Sequence, residues 1–307
     1  MLKKFINLKV FSRLVYEVSL PRNITDEEFI HIAKEKLSKG LKVATAVVVR
    51  KEGSGPRDVG SKILVSEGGE VYGTLGGGFF EKHVVGEALR AISEGKPRII
   101  KYSFTGHPVE GAVDTGLICG GVLEVFIDVL KPTQRVLIFG TGRVGKPLGD
   151  LLNFLGFKIV VADPSPELVS ADLYPYAVTR AHIPVEQIEE RLPELVLEGD
   201  VAFITHGVVE VDYKALKTLL KTNVKLVGLL GSKRKVTEFI KKLLQEGVDK
   251  EVIRKKFRGP VGADIPADTP EEIAVSIAAE LIALLKGGHV KSLNIVEEIL
   301  DQLAVSK

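Results

Sequence analysis

The sequence predicts an α/β protein of two domains. An N-terminal α+β domain is expected over residues 1–131, and a Rossmann-like, doubly wound parallel-sheet domain with C-terminal helices over residues 134–307. Three observations predict this. A chain of 307 residues is too long for one typical core and suits two. The stretch from Arg135 to Pro164 carries a strand, a glycine turn, a helix and a second strand. Ahead of it, Lys131-Pro132-Thr133 reads as a short linker that follows an earlier set of strands.

The βαβ stretch is the part around which the rest can be arranged. The apolar run Val136 to Phe139 ends at Gly140, and Gly140, Gly142 and Gly145 hold the G-x-G-x-x-G spacing on the way into a helical pattern. Gly140 permits the tight turn, Gly142 lets backbone N–H groups approach a pyrophosphate, and Gly145 lets the helix sit close to the sheet. A phosphate would rest at the helix N-terminus, where unpaired N–H groups and the helix dipole favour an anion. Asp163 ends the second strand, 18 positions beyond Gly145, near the ~20 expected of the acid that accepts ribose hydroxyls. Its charge would repel a 2′-phosphate, so NAD or a related plain dinucleotide is preferred over NADP. The alternative is a doubly wound domain whose glycines serve packing alone. Pro147 is at odds with a helix unless it lies in the first turn.

With 42 basic and 40 acidic side chains the formal charge is +2, which carries no strong electrostatic footprint for nucleic acid. Cys119 is the only cysteine, so no intrachain disulfide framework exists and a reducing, cytoplasmic location is expected. The first residues begin with lysines but offer no sustained apolar leader, and no segment reaches the ~18 apolar residues of a membrane span.

Taken in order, residues 14–18 could form a short strand. Thr25 and Glu28 form a capping box ahead of an amphipathic helix with Phe29, Ile32, Ala33 and Leu37 on one face, ending at Gly40. Strands are expected over Val43 to Val49, Lys62 to Ser66 and Val71 to Thr74, the last two joined as a hairpin. Between the first pair lies Gly53-Ser54-Gly55-Pro56-Arg57, a rigid loop ending in a guanidinium. Gly76, Gly77 and Gly78 directly precede a helical stretch that carries Glu81. Three consecutive glycines suit either a backbone that approaches a ligand with N–H groups at a helix N-terminus, or a tight strand-to-helix connection.

After a strand near Arg98 to Ser103, the glycine-rich segment Phe104 to Gly121 is too long for an ordinary hairpin loop and is a candidate functional loop. It holds His107, Glu110, Asp114 and Cys119. A lone cysteine can be buried and inert, or can become a thiolate ligand or nucleophile where glycine N–H groups lower its pKa. His107 with Glu110 does not make a zinc signature. The strand Val122 to Val129 closes this half.

Beyond the dinucleotide unit, strands over Val201 to Thr205 and Lys225 to Leu230 alternate with helices over Pro184 to Leu192, Val211 to Leu220 and a third containing Val236 and Phe239. His206 and the turn Gly231-Ser232-Lys233-Arg234 stand at carboxyl ends of these strands, where ligands sit in such sheets. His206 is a candidate acid or base, without a carboxylate close in sequence. The Ser232 turn either adds N–H groups and charge for a phosphate or is a solvated helix start. A loop and a long helix opened by Asp268-Thr269-Pro270-Glu271-Glu272 follow. Its Ala- and Ile-rich body packs internally or pairs with a second copy, and a homodimer is expected. Leu293, Val296, Ile299, Leu300 and Leu303 suggest a terminal helix.

Seven stretches in this order resemble the XdhC/CoxI family, the xanthine dehydrogenase accessory proteins: ATAVVVRKEGSGPRDVGSKILVS, VYGTLGGGFFE, DTGLICGGVLEVFID, VLIFGTGRVG with VVADP, ITHG, VGLLGSKRKV and PVGADIPADTPEEIAVSIAAELI. The resemblance implies an XdhC/CoxI-type N-terminal domain and a Rossmann domain. It also implies a protein that binds molybdenum cofactor as cargo, assists its sulfuration with a cysteine desulfurase and delivers it to a molybdenum hydroxylase apo-enzyme. Carried over, the cofactor-facing residues are Arg57, Gly76, Gly77, Gly78, Glu81 and Cys119, with Glu81 and Cys119 acting on the cargo and Cys119 as the metal or sulfur ligand. Many relatives carry Cys after the triple glycine, where this chain has Phe79, so a two-cysteine relay is not available. The competing expectations are an NAD-dependent oxidoreductase using His206 and an NAD-sensing binding module.

Overall fold

The computed structural model describes residues 23–291. The strand expected over 14–18 and the helix expected over 293–303 lie outside the described residues. The chain divides into two compact units between Pro132 and Thr133.

In the first unit, α1 (Asp26–Ser38) opens with the full capping box: the Glu28 N–H donates to the Thr25 hydroxyl (3.1 Å) and the Thr25 N–H to the Glu28 carboxylate (3.0 Å). Then follow β1 (Val43–Glu52), β2 (Lys62–Ser66), β3 (Val71–Gly73), α2 (Gly78–Glu94), β4 (Arg98–Ser103), β5 (Ala112–Asp114) and β6 (Val122–Leu130). They form one sheet in the order β3-β2-β1-β6-β4-β5, antiparallel except for the β4/β5 edge pair. Alternate residues of a strand face opposite sides, and β1 uses both. Ala44, Ala46 and Val48 join Phe80, Val84 and Ala88 of α2 in the main core. Val43 turns the other way, into a smaller cluster with Leu64 of β2 and Phe29, Ile32 and Ala33 of α1.

The second unit runs β7 (Arg135–Phe139), α3 (Gly145–Phe154), β8 (Lys158–Asp163), β9 (Thr179–His182), α4 (Ile188–Arg191), β10 (Val201–Ile204), α5 (Val209–Leu220), β11 (Leu226–Leu229), α6 (Lys233–Gln245), α7 (Lys250–Lys256), β12 (Phe257–Arg258) and α8 (Pro270–Lys286). The sheet is parallel throughout, in the order β12-β11-β10-β7-β8-β9. Strands buried on both faces read as continuous apolar runs. In β7, Leu137 and Phe139 meet α5 and α6, whereas Val136 and Ile138 meet α3 and α8. The order reverses between β7 and β10, the switch point at which such sheets leave a crevice. The helix expected over Pro184 to Leu192 is broken into short 3-10 and α turns around α4. Pro147 is the third residue of α3, within the first turn, where the fixed φ of proline is tolerated; the bonds on either side of it, Lys146 N–H to Gly142 O (2.9 Å) and Leu148 N–H to Val144 O (3.1 Å), are kept. No helix of the described residues is long and apolar enough to cross a membrane.

Candidate functional site

In the first unit the glycine turn at the start of α2 has φ angles of 111°, 77° and 68° at Gly76, Gly77 and Gly78. Side chains other than glycine rarely adopt this region, which explains the run of three. A Cβ at Gly77 or Gly78 would meet nothing within 4 Å, so this backbone borders open space. Glu81 holds the turn in place. Its Oε2 accepts from the Thr74 hydroxyl (2.7 Å), the Leu75 N–H (2.6 Å) and the Gly77 N–H (3.2 Å), while the Gly76 N–H donates to Thr74 Oγ1 (3.1 Å). Gly78, Phe79 and Phe80 occupy the first turn, whose N–H groups precede the first intrahelical bond, from Glu81 to Gly77.

Two further segments meet through the Gly53–Arg57 loop. On one side, a Cβ at Gly76 would lie 3.1 Å from Pro56 Cβ and 4.0 Å from Arg57 Cγ. On the other, the Ser54 hydroxyl donates to the Cys119 carbonyl, and a Cβ at Gly121 would overlap the carbonyls of Ser54 and Glu52. The Cys119 turn is closed by Phe104 N–H to Gly121 O and Gly120 N–H to Phe104 O, both 2.8 Å. Cys119 is a free, exposed thiol, and its neighbour Ile118 is 84 % exposed. Arg57, Gly76, Gly77, Gly78, Glu81 and the Cys119 turn thus belong to one constellation of adjoining loops. Among the described residues no group of three or more His, Cys, Asp and Glu could hold a metal ion.

In the second unit Gly140 has φ 94°, and a Cβ there would overlap the backbone of His206. At Gly145 it would overlap the Gly140 carbonyl. At Gly142 the nearest atom would be Leu168 Cδ1 at 3.9 Å. Two glycines are therefore required by close approach, and the third faces room that an anion can take. Asp163 is 1 % exposed. Its carboxylate accepts from the Thr141 N–H (2.7 Å) and the Ser165 N–H (2.8 Å), which fastens the glycine turn to the end of β8. The acid read as a ribose acceptor is thus already engaged with backbone.

His206 lies two residues past the end of β10, beside this turn, its ring 6.1 Å from that of Phe139 and its Nδ1 buried without a partner. A carboxylate six positions further along, Asp212, stands close enough to His206 to feel its charge. Asp212 accepts from the Gly207 N–H (3.2 Å) and forms an ion pair with Lys235. Burial pushes the Asp212 carboxyl above its usual range, against the pull of Lys235. Ser232 caps α6, accepting from the Lys235 N–H (3.3 Å). Sequence reasoning missed Asp212, Lys235 and Thr74. The available signal for the first two was position: both stand in the first turn of the helices, α5 and α6, that follow the neighbouring strands β10 and β11.

Two family profiles match the chain, one described as the XdhC Rossmann domain over residues 136–281 and one as the XdhC and CoxI family over residues 37–103. The chain is 35 % identical over 240 residues to the uncharacterized protein YqeB of Escherichia coli, covering 78 % of this chain and 43 % of that protein. It is 31 % identical to a probable xanthine dehydrogenase subunit of Bacillus subtilis (53 % of this chain, 46 % of that one). To the molybdenum cofactor insertion chaperone PaoD of Escherichia coli the identity is 29 % (41 % of this chain, 39 % of that one). The chain thus spans less than half the length of these relatives in each match. Among solved structures, a xanthine dehydrogenase from Bacillus halodurans aligns over 87 % of this chain and 98 % of its own, at 20 % identity and a TM-score of 0.46.

Proposed function

The chain belongs to the XdhC and CoxI family, and from that premise we propose that it is an accessory protein that binds molybdenum cofactor as cargo, assists its sulfuration and inserts it into a xanthine dehydrogenase-type molybdenum hydroxylase. The observation that carries this reading is the constellation in the first unit, where an exposed thiol, a guanidinium and a glycine turn at a helix start adjoin one loop. Each suits one part of the cargo. The thiolate of Cys119 is a soft ligand for molybdenum or its terminal sulfur. The N–H groups at the start of α2 suit an anionic phosphate, and Arg57 adds a charge that pairs well with oxyanions. Glu81 acts as a positioning residue, since its carboxylate fixes the turn.

The second unit takes NAD or a related dinucleotide in this reading, supported by the open space at Gly142 beside α3. The same observation favours the second reading, an NAD-dependent oxidoreductase or NAD-sensing module with His206 beside the bound nucleotide. A cysteine desulfurase as sulfur donor, a homodimer and a cytoplasmic setting complete the proposal.

Reconstitution tests it. Protein loaded with cofactor and incubated with a cysteine desulfurase and apo-hydroxylase should raise hydroxylase activity well above cofactor added alone, and Cys119→Ala should remove that gain. Activation equal to cofactor alone contradicts the accessory role, and steady NADH turnover with a small aldehyde would favour the second reading.

A further inference from the structure

Arg57 poses a separate problem of charge. It is half-buried, its Nε is buried without a hydrogen-bond partner, and it enters no ion pair among the described residues. The nearby acids are engaged elsewhere: Asp58 pairs with Lys51 and Asp26 with Lys62, each at 2.7 Å. A buried N–H of a cation left without an acceptor is unfavourable, and an anion beside it would relieve the cost. Arg57 also lines a cavity of about 210 Å³ between the start of α1 and the β2–β3 edge, together with Asn23, Asp26, Ser61, Lys62 and Thr74. That volume falls below the roughly 300–1,000 Å³ of pockets that take whole small molecules, so a pterin or nucleotide does not fit inside it. An ion does.

We propose that this cavity is a binding site for a tetrahedral oxyanion, a phosphate or a phosphomonoester group, with Arg57 as the principal partner. The lining carries two cations, Arg57 and Lys62, against one carboxylate, Asp26. Lys62 is itself fixed, by Asp26 and by its approach to within 5.6 Å of the Phe29 ring. Donors of three kinds surround the space: the guanidinium fork, the Lys62 ammonium, and the neutral Ser61 hydroxyl and Asn23 amide. A planar carboxylate is satisfied by two parallel bonds from one arginine. Donors spread over separate segments suit the several oxygens of a tetrahedral anion better. The Thr74 hydroxyl already donates to Glu81 and serves only as wall.

The site does not depend on the cofactor reading and is tested apart from it. The full chain is titrated with inorganic phosphate in chloride buffer, followed by calorimetry, and again with glycerol phosphate and with acetate. The expected result is saturable binding of one phosphate, weakened about tenfold or more by Arg57→Met and partly restored by Arg57→Lys, with acetate not competing. Competition by glycerol phosphate assigns the site to the phosphomonoester end of a larger ligand, and its failure to compete assigns free phosphate. Absence of saturable phosphate binding in the wild type overturns the proposal. So does binding by Arg57→Met within about twofold of wild type in protein whose melting is unchanged. Normal phosphate binding in protein that never retains pterin would sink the cofactor reading and leave this one standing.

Discussion

At the scale of single residues, the three glycines of the G-x-G-x-x-G turn separate folding from the proposed dinucleotide binding. Gly140→Ala drives a Cβ into the His206 backbone and forces a positive φ on alanine, so the second unit should fail to unfold cooperatively in a denaturant titration. Gly142→Ala adds its methyl to open space. Its unfolding midpoint should stay within about 0.5 kcal/mol of wild type, while dinucleotide affinity falls about tenfold because the methyl occupies the anion's place. Calorimetric titration with NADH checks this. Glu81 is the corresponding residue of the first unit. Glu81→Ala leaves the Leu75 and Gly77 N–H groups without their acceptor, a loss of roughly 1–3 kcal/mol readable in urea unfolding. The family resemblance placed this carboxylate on the cargo, and the three donors that claim it instead come from a turn whose shape only the fold defines.

Elements were the most legible level. Apolar runs gave β2 its bounds and placed β4 and the start of β1, and the capping box of α1 and the Thr269 cap of α8 could be read from residue types alone. Thr269→Ala at the head of α8 removes the bond to the Glu272 N–H (3.2 Å) and should lower stability by about 1 kcal/mol. Between elements the sequence was silent. Lys36 of α1 bonds Glu70 in the β2–β3 turn at 2.7 Å, a pairing set by how α1 lies on the sheet. That bond, with help from the Ser66 hydroxyl, holds the Glu70 carboxyl below its usual 4.5. A lowered folded value means the contribution is present above the usual carboxylate range and is lost as pH falls through the folded value. Glu70→Gln should therefore cost about 0.5 kcal/mol at neutral pH, and the difference from wild type should vanish in acid. Paired denaturant curves at the two pH values measure it. The Asp212–Lys235 pair was hidden for the same reason, since 23 residues separate its members and only the adjacency of β10 and β11 joins them.

At the scale of the whole molecule, the order of motifs along the chain made the family legible, while the use of each residue came from packing. The Gly53–Arg57 loop shows the difference: read alone it was a rigid turn with a guanidinium, and in the fold it contacts both the triple-glycine turn and the Cys119 turn. The proposed carrier role requires that cargo be held tightly enough to survive purification. Pterin content after co-expression with the cofactor-producing machinery, read as fluorescence of the oxidised pterin released on heating, measures this most directly. The account predicts near-stoichiometric pterin in the wild type and a loss of most of it in Cys119→Ala of unchanged stability. A wild-type protein that elutes without pterin, or a variant that retains as much as wild type, would contradict it.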